Sequence, residues 1–386
     1  MSDKSASILF IPKWFPGKTD PQNGVFILKH AQCIASFYPV KIMHLCAVKE
    51  QNERFEFANE SQENIEILHC YYKTGSSAIS RPFNLLIYLL AFLKSYKKLY
   101  PSGKPLLTHA HVFNRTVALA YFLKLWKGIP YLVSEHWTVY LKGQFDEYSA
   151  IQKKFIRHLA RKSEAITAVS SVLLNAMKRC GLESKRMKVI GNAVPAPKSI
   201  YTESDKKIIG VVADFDDKNK RISAVINAFS ELSPDNREWE LHIVGGGDDE
   251  SKLHQLATDK QMKDKKIFFH GRQNNEYVYQ FLRDISFLVN FSKHETFSVI
   301  LIEAILHGKP VISSKSGGPE AFINDDNGLL VDKNDLSGLK SAMLKMIQGY
   351  KEYDTEKLIA SVGDKYSPEK IGESFNDLYL EILNKQ

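Results

Sequence analysis

The sequence predicts an α/β protein with two doubly wound, parallel-sheet domains. The first observation is length, because 386 residues exceed what one hydrophobic core usually organises. The second is pattern, because short apolar runs alternate with amphipathic helical segments after an opening strand, glycine-containing loop and helix. The third is that this alternation stops at residues 195–197 (PAP) and restarts at Lys207. Two prolines end any regular element, so this segment is expected to be the linker.

The first domain, residues 1–197, is expected to hold five buried strands. A parallel strand covered by helices on both faces has the form of a short continuous apolar run. Runs of this kind lie at 7–12, 40–45, 106–111, 131–136 and 164–169, and helices are predicted at 25–37, at 83–100 and from the last strand to about residue 180. A polar loop rich in glycine and proline, residues 13–24, joins the first strand to the first helix.

The second domain, residues 198–367, repeats the same architecture. Its predicted elements are strands at 208–213, 239–245, 266–270 and 285–290, and helices at 220–232 and 250–261. Right-handed crossovers between parallel strands are expected. The final segment, 368–384, has the amphipathic pattern of a helix.

The composition limits the classes of partner. The net charge of +8 suits a diphosphate substrate, an anionic membrane surface or nucleic acid. Basic residues are spread along the chain without a basic tail, so nucleic acid is the weakest of the three. The four cysteines, Cys33, Cys46, Cys70 and Cys180, show neither C-x-x-C nor zinc-finger spacing, which predicts free thiols in a reducing compartment.

The chain is expected to be cytoplasmic, either soluble or attached peripherally to the inner face of a membrane. The N-terminus has no basic segment followed by a cleavable apolar one, and the longest apolar run, 85–93, is too short to cross a bilayer. The helix predicted at 83–100 is apolar first and basic later, with Lys94, Lys97 and Lys98 in its second half. Such a helix can lie on a membrane. It can equally pack on the sheet with its basic end in water.

Residues 294–331 carry the strongest functional signal. Glu295 and Glu303 stand there with seven residues between them, and Glu303 interrupts the apolar run 299–306. A helix beginning near Phe297 would surround Glu303 with core residues, where an ionised carboxylate is costly without a polar partner. Paired sugar hydroxyls can be that partner, because one carboxylate accepts two hydrogen bonds. The helix start between the two carboxylates offers free N–H groups to an anion.

This stretch resembles the E-x7-E signature of the retaining glycosyltransferases of family GT4, which have the GT-B fold. Residues 316–320 (SGGPE) and 328–331 (GLLV) are similar to that family's GG-x-x-E and G-L-L-V continuation, and residues 187–194 (MKVIGNAV) resemble the element that ends its first domain. The resemblance implies two Rossmann-like domains facing a deep cleft, with the last helix, 368–386, crossing back onto the first domain. It assigns acceptor binding to the first domain and nucleotide-sugar binding to the second.

The resemblance also implies an activity. A sugar would pass from a nucleotide-diphosphate donor to an acceptor with retention at the anomeric carbon, and neither a metal nor another cofactor would be required. The acceptor would be a glycan or a polyprenyl- or lipid-linked glycan, as in polysaccharide or glycoconjugate biosynthesis.

Individual residues receive roles from the resemblance. Glu295 would orient the sugar hydroxyls, Glu303 would hold the ribose, and Lys220 would hold the diphosphate. The helix start would bind the donor through Phe297, Ser298, Val299 and Ile300. Arg272 would contact the base, or it is an exposed arginine without a role.

Two positions in the first domain match the family pattern. Gly24 matches the glycine of the loop that closes over the donor, although a plain helix-start glycine would explain it equally well. His136 matches the position that faces the donor sugar. His109 and His111 lie at the end of a neighbouring predicted strand, so they are weaker candidates for the same site.

One position departs from the family pattern. Where the family has an arginine in G-R-x-x-x-x-K, this chain has Asp214, while Lys220 best matches the lysine and Lys218 and Arg221 lie beside it. Asp214 and Asp216 also fit a short D-x-D pattern that can bind a metal. Two other functions stay open: an inactive homologue that serves as a binding or partner subunit, which Asp214 favours, and a nucleotide-sugar epimerase.

Overall fold

The computed structural model describes residues 7–75, 80–197, 206–232, 234–261 and 266–384. The chain forms two compact units. The first contains Met1–Val169, Leu174–Ala193 and Pro368–Gln386, and the second contains Ser170–Leu173 and Val194–Ser367. Residues 195–197 form neither helix nor strand, and the predicted start of the second domain at residue 198 lies outside the described residues.

Within the residues that the structure describes, eight strands form the sheet of the first unit. They are β1 Ile8–Pro12, β2 Val40–Val48, β3 Phe55–Gln62, β4 Ile65–Lys73, β5 Leu107–His111, β6 Tyr131–Glu135, β7 Ala165–Ala168 and β8 Met187–Val189. Their order is β3-β4-β2-β1-β5-β6-β7-β8. All neighbours are parallel except β3 and β4, which pair antiparallel. All five residues of β1 are buried, as expected for a central parallel strand.

Among the described residues of the first unit, six α-helices accompany this sheet. They are α1 Val25–Ala35, α2 Arg81–Leu99, α3 Arg115–Lys127, α4 Ala150–Lys162, α5 Ser171–Arg179, whose residues from Leu174 onward belong to this unit, and the C-terminal α13 Pro368–Leu383. Ile371, Phe375 and Tyr379 of α13 share one core with Phe10 of β1 and Ile27 of α1. The last helix of the chain therefore packs in the first unit, as the sequence predicts.

In its described residues, the second unit is built on a parallel sheet of six strands. Its strands are β9 Ile208–Val212, β10 Glu240–Val244, β11 Lys266–Phe269, β12 Phe287–Asn290, β13 Val311–Ser314 and β14 Gly328–Val331. Their order is β11-β10-β9-β12-β13-β14. This is the doubly wound Rossmann order, in which strands are added outward from β9 on one side of the sheet and outward from β12 on the other. Ligands of such sheets bind at the carboxyl ends of the strands where the two sides meet.

The described part of the second unit contains seven α-helices. They are α6 Asp217–Lys220, α7 Ile222–Ser230, α8 Glu250–Gln261, α9 Asn275–Asp284, α10 Val299–Leu306, α11 Leu336–Gly349 and α12 Thr355–Tyr366. The core joins Ile209 and Ile243 of the sheet to Ile226 of α7, Leu253 of α8 and Met343 of α11.

The structure adds local detail to three segments of the prediction. The hairpin of β3 and β4 has no counterpart in the prediction, because β3 is a partly exposed edge strand with a polar second half. The helix predicted at 220–232 is α7, Ile222–Ser230, and a short unpredicted helix, α6, ends at Lys220 just before Arg221, which has a φ of 53°. The helix predicted near Phe297 begins at Val299. Among the described helices, none combines the length and the apolar content that crossing a bilayer would need.

Candidate functional site

The candidate site of the second unit starts at Asn290, the last residue of β12. Its side-chain amide donates a hydrogen bond to Ser298 Oγ over 2.8 Å and a long one to Glu295 Oε1 over 3.5 Å. Its carbonyl oxygen accepts from the hydroxyl of Ser292 over 2.6 Å. Asn290, at the end of the strand, thus holds the loop that leads to α10 in place through hydrogen bonds.

Glu295 and Lys220 form an ion pair in this loop. Lys220 Nζ donates to Glu295 Oε1 over 2.6 Å, and the two side chains are only 25% and 11% exposed. Burial alone would raise the pKa of Glu295, but the charge and hydrogen bond of Lys220 hold that pKa below its usual value. Burial alone would lower the pKa of Lys220, but Glu295 raises it. Both groups are therefore ionised at neutral pH.

The backbone also fixes Glu295. Its N–H donates to Ser316 O over 3.0 Å, and its carbonyl accepts from Gly318 N over 2.8 Å. A side chain at Gly318 would collide with the backbone of Phe297, so only glycine permits this approach. The carboxylate of Glu320 accepts from Gly317 N over 2.8 Å. The predicted S-G-G-P-E segment therefore supports the loop that carries Glu295.

The start of α10 is the predicted anion-binding position. Ser298 has a φ of 73°, a left-handed conformation that is strained for a residue other than glycine. Val299 and Ile300 follow in the first turn, where backbone N–H groups lack intrahelical acceptors. Phe297 is buried against Phe322 and Tyr366. Its side chain is therefore a core group, and only its backbone is available to a ligand.

Glu303 lies in the second turn of α10 and is half buried. Its helix neighbours Ile302 and Ala304 are fully buried, while the hydroxyl of Tyr279 on α9 donates to Glu303 Oε1 at 3.5 Å. Burial first, and then the charge of Glu303, raise the pKa of Tyr279 to about 12. The carboxylate thus stands in a partly apolar setting, as the sequence predicts.

Asp214, which replaces the expected arginine, pairs with another predicted residue. Arg272 Nη1 lies 3.0 Å from Asp214 Oδ1, and Arg272 Nη2 donates to Gly246 O over 3.0 Å. Both side chains are mostly exposed. Asp214 and Asp216 also act on Lys220, whose pKa they help to raise. A second cation therefore stands near the position at which the family arginine is missing.

Arg221 is used elsewhere, although it lies next to Lys220. Its guanidinium donates to Lys333 O and lies 4.8 Å from the centre of the Phe291 ring. Of the two neighbouring basic residues Lys220 and Arg221, Lys220 is therefore the one that contacts Glu295.

Gly24 holds the loop after β1 in the first unit. It has a φ of 70°, and a side chain there would collide with the backbone of Trp14. It is also the residue immediately before α1. The helix-start explanation and the loop-glycine explanation therefore both fit its geometry.

His136 belongs to a cluster of buried histidines in the first unit. One ring nitrogen from each of His30, His111 and His136 lies within 4.8 Å of the others, and His111 Nδ1 is 3.4 Å from His136 Nε2. Burial, reinforced by neighbouring histidines, lowers the pKa of His111 and His136 well below its usual value. The rings are neutral at physiological pH.

This cluster has the donor types that a metal ion could use. His30 Nε2 contacts the carbonyl of Gly191 at 3.1 Å, which leaves its Nδ1 as a lone-pair donor. Within the described residues, His30 Nδ1, His111 Nε2 and His136 Nδ1 have no hydrogen-bond partner. Neutral imidazole nitrogens are common metal ligands. The same stacked rings also form an ordinary aromatic core, with Phe26 4.6 Å from His136.

His109 is held by the core. Its two ring nitrogens contact the hydroxyl of Tyr379 at 2.7 Å and that of Ser134 at 2.6 Å. With both nitrogens used, His109 has no spare atom for a ligand. Its contact with Tyr379 instead helps to attach the C-terminal helix to this unit.

The first unit also contains an open cavity of about 420 Å³ at the carboxyl ends of β1 and β2. Its polar wall includes Lys13, Asn23, His44, Arg115 and Thr116. Burial lowers the pKa of Lys13, an effect that the charge of Glu135 opposes. A second cavity, of about 510 Å³, lies in the second unit between Asp325 and Lys357 and contains none of the predicted site residues.

The predicted residues thus fall into two groups, one in each unit. Lys220, Glu295 and Ser298 are brought together by direct contacts or through Asn290. The prediction gave no role to Asn290, although a polar residue ending a buried strand was a usable signal. It also missed His30, which reaches the cluster from α1 and lies far away in sequence.

Two family models match the chain. The model for glycosyl transferases group 1 matches residues 196–358, and the model for glycosyltransferase family 4 matches residues 53–196. The chain belongs to glycosyltransferase family 4. The predicted family and the GT-B fold are therefore confirmed.

Individual relatives match the chain at low sequence identity. The N-acetyl-alpha-D-glucosaminyl L-malate synthase of Bacillus anthracis is 25% identical over 244 residues, which are 59% of this chain and 62% of the relative. The lipopolysaccharide 1,6-galactosyltransferase of Escherichia coli K12 is 27% identical over 229 residues, 57% of this chain and 62% of the relative. The matched region thus spans less than two thirds of either relative.

Solved structures match this family 4 protein over nearly its whole length. Anabaena Alr3699/HepE in complex with UDP has a TM-score of 0.72 and 16% sequence identity, with 97% of this chain and 100% of that chain covered. At this identity the likeness concerns the fold.

Proposed function

We propose that this family 4 glycosyltransferase moves a sugar from a nucleotide-diphosphate donor to a glycan or lipid-linked glycan acceptor, with retention at the anomeric carbon. The observation that carries the proposal is the Lys220–Glu295 ion pair, which lies in the loop leading to α10, with Glu303 in the second turn of that helix. Cation, carboxylate and helix N-terminus are the groups that a sugar diphosphate needs.

The ion pair is proposed to open when the donor binds. In the structure, Lys220 neutralises Glu295. A diphosphate offers Lys220 stronger negative charge, which would release Glu295 to accept hydrogen bonds from sugar hydroxyls. The backbone N–H groups of Ser298, Val299 and Ile300 would bind the terminal phosphate oxygens, and Glu303 would accept from the ribose hydroxyls.

The chemical step is proposed to occur on one face of the sugar. The bond between the anomeric carbon and the diphosphate oxygen breaks, and the acceptor oxygen bonds to the same face. The acceptor proton passes to the departing diphosphate oxygen. Lys220 and the start of α10 stabilise the charge that grows on that oxygen. For His136 we propose contact with the donor sugar as a neutral ring, which does not repel positive charge developing at the anomeric carbon.

The reaction is proposed to need no metal. The candidate D-x-D carboxylate Asp214 is already paired with Arg272. We propose that Arg272 serves the nucleotide together with Lys220, taking over part of the task of the arginine that Asp214 replaces. The missing arginine at Asp214 is the argument for an inactive homologue. This role of Arg272 weakens that argument, because Arg272 still places a cation at this end of the sheet.

The acceptor is proposed to bind in the cavity of the first unit. Its wall combines Lys13 and Arg115 with neutral hydrogen-bonding groups such as Asn23 and Thr116. This lining suits an acceptor that carries both hydroxyls and a negative charge. The names of the two relatives, a malate glycosylating synthase and a lipopolysaccharide galactosyltransferase, fit such acceptors. The four free cysteines fit work in the reducing cytoplasm.

The test begins with the donor. Thermal-shift measurements with a panel of UDP-, GDP- and ADP-sugars should find one nucleotide class that raises the melting temperature, and UDP is the first choice because the HepE structure contains it. Product NMR should then find the donor's anomeric configuration retained in the new linkage. Nucleotide release with an altered free sugar would indicate the epimerase, and no thermal shift with any donor would indicate the inactive homologue.

A further inference from the structure

The first unit exposes a row of large apolar side chains on α2. Phe83, Leu86, Leu89 and Leu93 recur at helical spacing and are each at least 41% exposed. The opposite face of the same helix, which includes Tyr88 and Phe92, is buried in the core. Soluble proteins rarely expose a continuous apolar stripe, and large exposed apolar patches mark interaction sites.

Helix α3 continues the same surface. Its exposed apolar residues are Phe122, Leu125 and Trp126, and Leu125 is 69% exposed. The two helices are in contact, because the Phe92 and Phe122 rings lie 6.1 Å apart and the Tyr96 and Trp126 rings lie 5.8 Å apart. The exposed residues of α2 and α3 therefore form one surface, here called the α2–α3 face.

Positive charge accompanies this face. The sequences of α2 and α3 contain seven Lys and Arg residues and no Asp or Glu: Arg81, Lys94, Lys97, Lys98, Arg115, Lys124 and Lys127. Lys97, Lys98 and Lys127 are exposed in the last turns of the two helices. The sequence predicted the basic end of α2, whereas the contribution of α3 is visible only in the structure.

We propose that the α2–α3 face docks on an anionic lipid bilayer. The charge favours this partner, because the exposed lysines Lys94, Lys97, Lys98 and Lys127 repel the same lysines of a second copy and are attracted to acidic headgroups. Leucine, phenylalanine and tryptophan side chains enter the headgroup and acyl boundary, and lysine side chains reach the phosphates. This docking goes beyond the proposed transfer reaction and does not depend on it.

Binding to vesicles tests the proposal with the full chain. Sedimentation with phosphatidylglycerol–phosphatidylcholine vesicles should remove the protein from solution, and pure phosphatidylcholine should bind at least tenfold more weakly. Raising the salt concentration should weaken the binding to anionic vesicles, because it screens the headgroup charge. Equal binding to both kinds of vesicle, or to neither, would overturn the proposal.

Two variants separate the apolar and the charged contributions. The double variant Leu86→Asp, Leu125→Asp should lower the vesicle affinity more than tenfold. The triple variant Lys94→Gln, Lys97→Gln, Lys98→Gln should lower it by about a hundredfold on anionic vesicles. Leu336→Asp is the matched control, because Leu336 is a 54% exposed leucine of α11 in the second unit. It should bind like the wild type.

Folding and self-association are measured on the same samples. Circular dichroism should give unchanged melting for all variants, since every replaced side chain is exposed. Light scattering should give the same mass for the wild type and the double variant. If the double variant keeps full vesicle binding, or if it dissociates a wild-type dimer, the α2–α3 face is not a membrane surface.

Discussion

The ammonium of Lys220 lies 2.6 Å from the carboxylate of Glu295, although 75 positions separate them in the chain. Each would be a costly charge in its buried position without the other. The pair therefore has two consequences, one for stability and one for donor binding, because a diphosphate that attracts Lys220 must compete with Glu295.

Removing one charge of this pair should destabilise the second unit. Glu295→Gln leaves Lys220 with a neutral partner and should lower the free energy of unfolding by about 3 kcal/mol, measured by urea denaturation. Lys220→Met should have a cost of the same order. The double variant should lose less than the sum, since neither charge is then left alone. Additive losses would mean that the two groups do not interact in solution.

The same substitution should stop sugar transfer without stopping nucleotide binding. In Glu295→Gln the amide cannot accept hydrogen bonds as a carboxylate does, and we expect transfer to fall at least a hundredfold. Affinity for the free nucleoside diphosphate should stay equal or rise, because Lys220 no longer has a competing anion. Full transfer activity in this variant would remove Glu295 from the site.

Glu303 should recognise the ribose. Glu303→Gln should weaken binding of the nucleoside diphosphate by about ten- to a hundredfold in calorimetry, because hydrogen bonds to a charged acceptor contribute about 1.5–3 kcal/mol. A 2′,3′-dideoxy nucleoside diphosphate should bind equally to the variant and the wild type, since it lacks the hydroxyls. Tyr279→Phe is a control that keeps the carboxylate. A loss of the same size for both nucleotides would contradict a ribose contact.

Acid should destabilise the first unit through buried histidines. Burial first, and then neighbouring His69, lower the pKa of His44 to about 4. A histidine titrates near 6.5 in the unfolded chain, so between pH 6.5 and 4 the unfolded state binds the extra proton. The stability that neutral His44 contributes is thus complete above pH 6.5 and is lost as the pH falls toward 4.

Urea denaturation at several pH values measures this loss. His44→Asn should reduce the slope of unfolding free energy against pH by up to about 1.4 kcal/mol per pH unit, the value for one proton. His69 remains, with Glu60 3.3 Å away. His254→Gln changes a half-exposed histidine of the second unit and is the control. An unchanged slope for His44→Asn would contradict a buried neutral ring.

Metal removal should leave transfer intact. We expect full activity after dialysis against EDTA and no gain from added Mg²⁺, Mn²⁺ or Zn²⁺, because Lys220 and the start of α10 supply the positive charge for the leaving group. If EDTA abolished transfer and a metal restored it, two variants would locate the ion. Asp214→Asn would test the D-x-D position, and His111→Asn would test the histidine cluster.

The two-unit α/β architecture and several residues of the candidate site could be predicted from the sequence alone. Repeated short apolar runs predict buried parallel strands. Such strands must be covered by helices on both faces of the sheet, so the runs predict an α/β architecture for each of the two units. Glu303 was recognisable for a similar reason, since a carboxylate in an apolar helix violates the local pattern. The polar edge strand β3 carries no such apolar run, so its hairpin with β4 was missed.

Which side chains come into contact depends on the fold of the whole chain. Lys220 follows β9 and Glu295 follows β12. These two strands are neighbours only because the chain, after adding β10 and β11 on one side of β9, returns to add β12 on its other side. Arg272 reaches Asp214 from the end of β11, and His30 joins His111 and His136 from a helix. Such pairings depend on strand order and on the packing of distant segments. Local periodicity carries no information about either, so only the folded chain defines the ion pair and the histidine cluster.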